Sequence, residues 1–373
     1  MTSSLVGSEM CIRDRLYTVY NPDGTVDPFL SCRGILMTKE SAGNTEILFA
    51  NPNPGDYGAI DRWSIPRSVP GAGSYGVTQS LVDAFFMENG LSPILGYENN
   101  DYSKPIINPA SGYTETGFST EPEVRNTGWQ ECQGNVNPGQ VTMAGAYNMY
   151  CHREARFYIA VLYNRAWFSK TAEGGRQTMF LKGEQDGGIS MDAPRNGYLQ
   201  NKLAHPDRDN VNVTFPYRPA VNYRLAEAYL NYAEALNECD PGNPDIMKYV
   251  NLIRVRAGIP EYGTGAGMIT EPQGQEEVRQ SIYKERRVEL CCESSIRYMD
   301  IRRLKIGEEI LNRDFYGMNY FGSKLSDDKN DPDAYFVRTR YQTRSFQKKN
   351  YWFPVPQSEM DINPNLVQNP FWK

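Results

Sequence analysis

The chain has 373 residues, 40% hydrophobic and 23% charged, and its 39 Lys and Arg against 45 Asp and Glu give a net charge of −6. That length exceeds one small core and suits one large domain or two intimate ones, with the balance of an ordinary globular protein. Nothing in that charge balance suggests a nucleic-acid partner, which would want a basic face, and no apolar run of about 18 residues is present to cross a membrane as a helix.

The first stretch, Met1–Arg15, leads into no clear element and reads as a spurious or non-native start. It shows no charged segment followed by an apolar one, so no signal peptide is visible, and Cys11 has no apolar segment before it that would mark a lipidation site. Residues 16–60 mix short apolar runs with turn signals. Among them Glu46–Ala50 reads as a short buried strand ended by the Asn51–Pro54 turn. Residues 51–76 form a Gly- and Pro-rich loop that carries Trp63 and Tyr75.

A short helix is expected over Thr78–Met87. Thr78 caps it, Leu81, Val82, Phe85 and Phe86 form an apolar stripe, and Asn89-Gly90 ends it. Residues 90–146 have little periodicity and many Gly, Pro, Asn and Tyr, the profile of a long functional or disordered loop. Ala155–Tyr163 is rich in aromatic and β-branched residues and reads as a strand, and residues 176–200 are expected to pair strands around Gly187-Gly188.

The second half is helical. Val221–Glu238 places Leu225, Ala228, Tyr229, Tyr232, Ala235 and Leu236 on one face. Pro244–Ala257 follows, with Ile246, Val250 and Ile253 inward and Gly258 and Pro260 as its stop. Glu276–Glu293 and Ile296–Leu311 repeat the pairing. Alanine and tyrosine at contact positions are what tetratricopeptide-like pairs use, because small residues let helices approach. The fold class is therefore mainly α, with tetratricopeptide-like helical hairpins supporting a large irregular loop-rich region with short β-strands. One domain spans 16–373. It comprises a loop-rich ligand-binding region over 51–215, a helical-repeat scaffold over 216–312 and an extended tail over 313–373.

Seven cysteines stand at positions 11, 32, 132, 151, 239, 291 and 292, an odd number with no CxxC pair. Adjacent Cys291 and Cys292 have poor geometry for a mutual disulfide or a zinc site, so the cysteines read as mostly buried free thiols.

Several segments resemble one family. Arg218–Asn237 resembles the helix that introduces a late repeat in SusD/RagB proteins, and Leu252–Pro260 looks like the end of its partner. Glu285–Leu290 followed by Arg297–Arg303 resembles the family's charged helix pair, and Tyr351–Pro370 its C-terminal tail. Thr78–Gly90 and Ala155–Leu162 also fit the pattern. The resemblance covers about residues 45–373 in the right order. Ser294, Leu304 and Phe371 depart from it at positions where the family often has Gly, Trp and Gly. The resemblance implies a lipoprotein on the outer face of the outer membrane, anchored by an N-terminal lipid absent from this chain, whose start then reads as truncated. It implies capture of an oligo- or polysaccharide and its delivery to a TonB-dependent transporter.

No catalytic constellation is evident. His152 and His205 are the only histidines, and neither GxSxG nor HExxH occurs. Glu227 and Glu234 share a helix face, and Glu285, Arg286, Arg287, Glu289, Glu293, Arg297, Asp300, Arg302 and Arg303 are dense in charge. An acid/base or phosphate site is one reading, and an ion network that fixes helix packing is the other, which the resemblance favours. The acidic Asp327–Asp333 loop could hold calcium, although it lacks EF-hand spacing, and a solvated loop is the plainer reading. No cofactor is expected otherwise.

The binding expectation rests on loop aromatics. A ring covers the apolar face of a sugar while nearby amides and carboxylates meet its hydroxyls. The candidates are Trp63, Tyr75, Tyr97, Tyr102, Tyr113 and Trp129, with Asn99, Asn100 and Asp101 as polar partners. Tyr229, Tyr232 and Trp352 sit in scaffold motifs and are expected in the core. Besides glycan capture, two readings stay open: capture of peptide or protein by the same architecture, and a glycoside hydrolase.

Overall fold

The computed structural model describes residues 15–51, 57–69, 71–129, 139–171, 174–188, 190–208, 216–293 and 295–372. Met1–Asp14 with Cys11, the Pro52–Pro54 part of the expected turn, Cys132 and Ser294 lie outside the described residues. The helices are α1 (Pro28–Gly34), α2 (Tyr57–Ser64), α3 (Gln79–Val82), α4 (Ala155–Ala160), α5 (Leu225–Cys239), α6 (Pro244–Arg256), α7 (Gly274–Glu289), α8 (Ile296–Arg303), α9 (Gly307–Leu311) and α10 (Gln357–Ile362). Strands among the described residues pair only in antiparallel twos. The architecture is the expected one, helical hairpins beside an irregular region with short strands.

The hairpins form as the breakers dictate. Asn243 caps α6 through a hydrogen bond from Asp245 N–H, with Pro244 at its first turn. Gly258, at φ 71°, closes it. Its N–H and that of Ile259 return to the carbonyls of Val255 and Arg254, a C-terminal turn open to glycine at little cost. Ala226, Leu230 and Ala233 of α5 bury against Ile246, Val250 and Ile253 of α6 and Val278 and Ile282 of α7. The buried face of α5 is thus turned by one residue from the expected one. Tyr229 and Leu236 pack at its edge, whereas Tyr232 is 46% exposed, its ring edge-on to Tyr249. Trp352, also expected inside, is 40% exposed.

Four element assignments change. Ala155–Ala160 is helix α4 rather than strand, and only Val161–Leu162 extends, pairing with Leu199–Gln200. All six α4 side chains are buried, so no polar face reveals the helical period. Ala220–Arg224 is a strand against Ile47–Asn51, and the helix begins at Leu225, whose N–H donates to the Glu46 carbonyl at 2.8 Å. The hairpin expected near Gly187 lies earlier, between Trp167–Thr171 and Gly174–Gln177. The last expected helix breaks into α8 and α9 at Leu304–Ile306, where Lys305 takes φ 55°.

Helix α3 starts as expected, with Leu81 N–H donating to Thr78 Oγ1, but it stops at Val82. Val82, Phe85 and Phe86 are buried all the same. Arg153 donates to the carbonyls of Val82 and Phe85 at 2.6 and 2.7 Å, and Glu154 accepts from Phe86 N–H at 2.8 Å. Side chains from a distant segment thus satisfy the backbone groups that further helix would have satisfied. Around them Tyr150, Phe157, Tyr163, Tyr198 and Phe336 build the larger, aromatic core.

An ion network lies where the two cores meet. Glu46, Glu154, Glu285, Glu289 and Glu293 face Arg156, Lys202, Arg224, Arg254 and Arg256, all of them buried. Arg224 joins Glu46 at 2.6 Å and Glu293 at 2.8 Å, Arg256 joins Glu46 at 2.8 Å, and Lys202 joins Glu293 at 2.6 Å. Burial would raise the Glu289 and Glu293 carboxyls, but the surrounding guanidinium and ammonium groups outweigh it and hold both below the ordinary carboxylate range. The dense charge of α7 is therefore a packing device here. Cys32, Cys151 and Cys291 are buried free thiols, Cys292 is partly buried and Cys239 is exposed.

Candidate functional site

The aromatic loop candidates separate into three places. The first is the hairpin of Ile94–Tyr97 with Pro105–Ile107. Its tip carries Asn99 and Asn100 at φ 50° and 59°, a left-handed conformation that asparagine tolerates. Both amides are exposed and have no partner among the described residues. Asp101 is committed within the hairpin. It accepts from Ser103 N–H at 3.0 Å and Ser103 O–H at 2.7 Å, and these bonds lower its pKa. The Tyr97 and Tyr102 rings meet at 4.4 Å.

Beneath Tyr97 lies a charged clamp. Tyr97 O–H donates to Asp83 at 2.7 Å, and Arg338 donates to both Asp83 oxygens at 2.7 and 2.9 Å. The same guanidinium donates to Glu115 at 2.6 and 3.0 Å, and to the Tyr102 carbonyl at 3.3 Å. Burial pushes the Asp83 carboxyl up, but Arg338 and the hydrogen bonds outweigh it, so its pKa is lowered. Burial, reinforced by the Asp83 charge, holds the Tyr97 phenol well above its ordinary value. A cleft of about 490 Å³ opens beside this clamp, lined by Glu98, Ser103 and Lys104 of the hairpin, by Glu115, and by Asp327 and Lys329. The stacked rings of Tyr147 and Phe336, 4.3 Å apart, also line it. The hairpin thus contributes to a cleft, but through neighbours of the expected residues.

The second place is the pair Trp63 and Tyr75, 40% and 39% exposed, whose rings meet edge to face at 5.1 Å. The N–H groups of Ser74 and Tyr75 donate to the Trp63 carbonyl at 3.0 and 2.9 Å, which ties the loop to the end of α2. Ser74 and Gly76, on either side of Tyr75, line a cleft of about 440 Å³ together with Arg195, Tyr341 and Arg344.

The third place is the core, and it corrects two expectations. Trp129 is 3% exposed and stacks on Phe29 at 5.3 Å, and Tyr113 is 6% exposed beneath the Arg153 guanidinium. Both fill the interior, so neither offers a ring face to a ligand in this structure.

The acidic loop and the histidines are also placed. Lys324 reaches Asp331 at 2.8 Å and Asp333 at 3.5 Å, while Asp327 accepts from Gly117 N–H. Ligand-type atoms of Glu88, Glu123 and His152 lie within 4.8 Å of one another. Arg125 pairs with both carboxylates, so a cation already occupies that corner. His205 is buried, and its backbone N–H donates to Asp61 Oδ1 at 2.9 Å. Arg338 and Asp83 had no sequence signal, since their meeting spans 255 positions.

Comparison with known proteins agrees with this architecture. The sequence profile of the SusD family matches residues 41–372. A SusD-like protein from Bacteroides fragilis has a structure that superposes with TM-score 0.64 at 26% identity, covering 99% of this chain and 62% of that one. A SusD-like carbohydrate binding protein from the same organism gives TM-score 0.64 at 19% identity, covering 98% and 60%. SusD-like protein P2 of Formosa agariphila is 33% identical over 146 residues, 39% of this chain and 24% of that protein. The chain therefore spans less than two thirds of the length of these relatives. With helical hairpins, irregular half and tail all matched in one profile, the chain belongs to the SusD family.

Proposed function

We propose that the chain captures an oligo- or polysaccharide and passes it to a TonB-dependent transporter. In this reading it works on the outer face of the outer membrane, held there by a lipid on an N-terminal segment. The Trp63–Tyr75 pair carries the reading: two exposed rings, at 5.1 Å, beside a cleft with polar walls. Rings cover the C–H face of a sugar, and amides and guanidinium groups satisfy its hydroxyls. The exposed Asn99 and Asn100 amides, on the hairpin whose Glu98, Ser103 and Lys104 line the other cleft, offer the same chemistry. Membership of the family supports it, as does the name carbohydrate binding protein given to the B. fragilis relative of like fold.

Binding rather than catalysis fits the carboxylates. Glycoside hydrolysis needs a free acid and a free base or nucleophile. Asp83 and Glu115 are both held by Arg338.

Affinity electrophoresis through gels containing single polysaccharides tests the proposal. One polysaccharide should retard the chain, and Trp63→Ala or Tyr75→Ala should weaken retention about ten-fold, as for a hot-spot aromatic. No retention across a broad panel, with oligopeptides bound instead, would replace this reading by peptide capture. Turnover of a retained glycan would replace it by hydrolysis.

A further inference from the structure

Most buried arginines here are matched to carboxylates, as in the network between the cores and the Arg338 clamp. A group of less buried arginines differs from them. Arg313 lies over the Tyr102 ring, its guanidinium carbon 4.6 Å from the centroid, and Arg344 lies over Phe315 at 4.1 Å. Those two rings meet edge to face at 6.3 Å, and Arg344 N–H donates to the Arg313 carbonyl at 3.2 Å. Two guanidinium groups therefore sit on two adjoining rings.

Two more arginines adjoin this group, Arg297 through the Tyr102 phenol and Arg287 through Arg297. Arg297, in the first turn of α8, is half-buried, and no hydrogen bond or ion pair reaches its guanidinium among the described residues. Its charged surroundings are Arg287, Asp300 and the Tyr102 phenol. Arg287 donates only to neutral oxygens of Ser80, at 2.7 and 3.2 Å. Arg313 donates to the Glu309 backbone carbonyl, and Arg344 to the Gln342 side chain at 3.1 Å. None of the four has a carboxylate partner among the described residues.

Three acids of these segments are engaged elsewhere. Asp300 accepts from Arg286 and Arg303 at 2.7 and 2.8 Å, and Asp314 accepts from Thr343 and from Arg340 at 3.3 Å. Asp101 is held by Ser103 and Lys104. Burial, with the like charge of Arg287 added, pulls Arg297 down to about 10. A half-buried guanidinium beside a second one, with Asp300 already shared by two other arginines, is a costly arrangement that an anion relieves. The chain carries net charge −6, so the excess of positive charge here is local.

We propose that Arg297, Arg313 and Arg344, around Tyr102 and Phe315, bind the acidic groups of an anionic glycan. This rests on the glycan-capture reading and names the ligand class. The guanidinium fork matches a carboxylate or a sulfate ester, whose oxygens accept two parallel N–H bonds. The Tyr102 ring, with Arg313 over it and the Tyr97 ring 4.4 Å away, holds that guanidinium in place for the ligand. Arg344 also lines the cleft next to the Trp63–Tyr75 loop, so the same cation serves both aromatic places.

The test uses the full chain and polymers of known charge. Polygalacturonate and a sulfated galactan are compared with their carboxyl-reduced and desulfated forms, and with neutral starch and xylan, in affinity gels and by calorimetry. An acidic polymer should be retained, its neutralised form should bind at least about ten-fold more weakly, and added salt should weaken retention. Arg313→Gln and Arg344→Gln should each lose about ten-fold on that polymer, the size of one charged hydrogen-bond pair, while Arg313→Lys loses less. Melting temperatures of the variants confirm folding, and Arg344, being exposed, is the safer probe. Which acidic polymer is retained tells carboxylate from sulfate. Retention of neutral polymers alone, or variants that bind the acidic polymer as well as the parent, would overturn the proposal and leave glycan capture standing. No retention of any polymer would remove both.

Discussion

Glu289 is the carboxylate on which the buried network turns. It forms ion pairs with Arg256, with Arg224 at 2.8 Å and with Arg156 at 3.0 Å. Glu289→Gln keeps the shape but leaves one buried positive charge uncompensated, and turns an amide N–H₂ toward guanidinium donors. Breaking one side of a buried pair costs about 3–5 kcal/mol. Unfolding entropy of about 2.1 cal/mol/K per residue gives roughly 0.8 kcal/mol/K for 373 residues, so the melting temperature should fall by about 4–6 °C. Scanning calorimetry at neutral pH reads this directly. Glu276→Gln, whose partner Arg279 is near the surface, is the control and should change stability by less than about 0.5 kcal/mol. The pH dependence has a definite sign. The folded pKa of Glu289 is lowered, so its contribution is present above the unfolded value near 4.5 and is lost as pH falls below it. The parent should lose stability in acid more steeply than the variant. A variant that melts with the control, or shows the same acid slope as the parent, would refute the reasoning.

Trp129→Ala should destabilise by about 3–5 kcal/mol, read as a lower denaturant midpoint, whereas Trp63→Ala should leave the midpoint almost unchanged. If Trp129→Ala instead weakened glycan retention at unchanged stability, its place in the core would be wrong. Asp83→Asn should cost about 1–3 kcal/mol, since Arg338 keeps Glu115 but loses one of its two carboxylates, and a double-mutant cycle with Arg338→Gln should return a coupling above about 1 kcal/mol; additive losses would deny the clamp. His205 Nδ1 accepts from Asp207 N–H at 3.1 Å, and burial lowers the imidazole pKa below 6.5. The unfolded chain therefore takes up its proton first, stability falls as pH drops through about 6.5, and His205→Gln should flatten melting curves compared between about pH 5 and pH 8.

The helical hairpins were legible because their signals are local. Asn243 and Pro244 open α6, Gly258 closes it, and the apolar period between them is sustained. Ala155–Ala160 was illegible for the opposite reason, since a helix buried on every side shows no period, and its aromatic and β-branched residues suit a strand equally well. Val221–Arg224 looked like the start of α5 because nothing nearby reveals Ile47–Asn51 as a pairing partner. Among the loop aromatics, composition could not separate Trp63 from Trp129. Only the packing of Phe29 against the latter distinguishes a surface ring from a core ring. The clamp at Asp83 and Arg338, and the arginines around Tyr102, depend on contacts between remote segments and leave no spacing to read.

The buried network joins residues as far apart as Glu46 and Arg256, 210 positions along the chain. Such contacts carry a large loop-closure cost, so they are expected to form after the local hairpins during folding. Interactions absent from the folding barrier act chiefly on the rate of unfolding. Glu289→Gln is therefore predicted to speed unfolding in denaturant jumps while leaving refolding nearly as fast, and a slowed refolding limb would place the network early instead. On this view the charges between the two cores act as a kinetic latch, set last and released first.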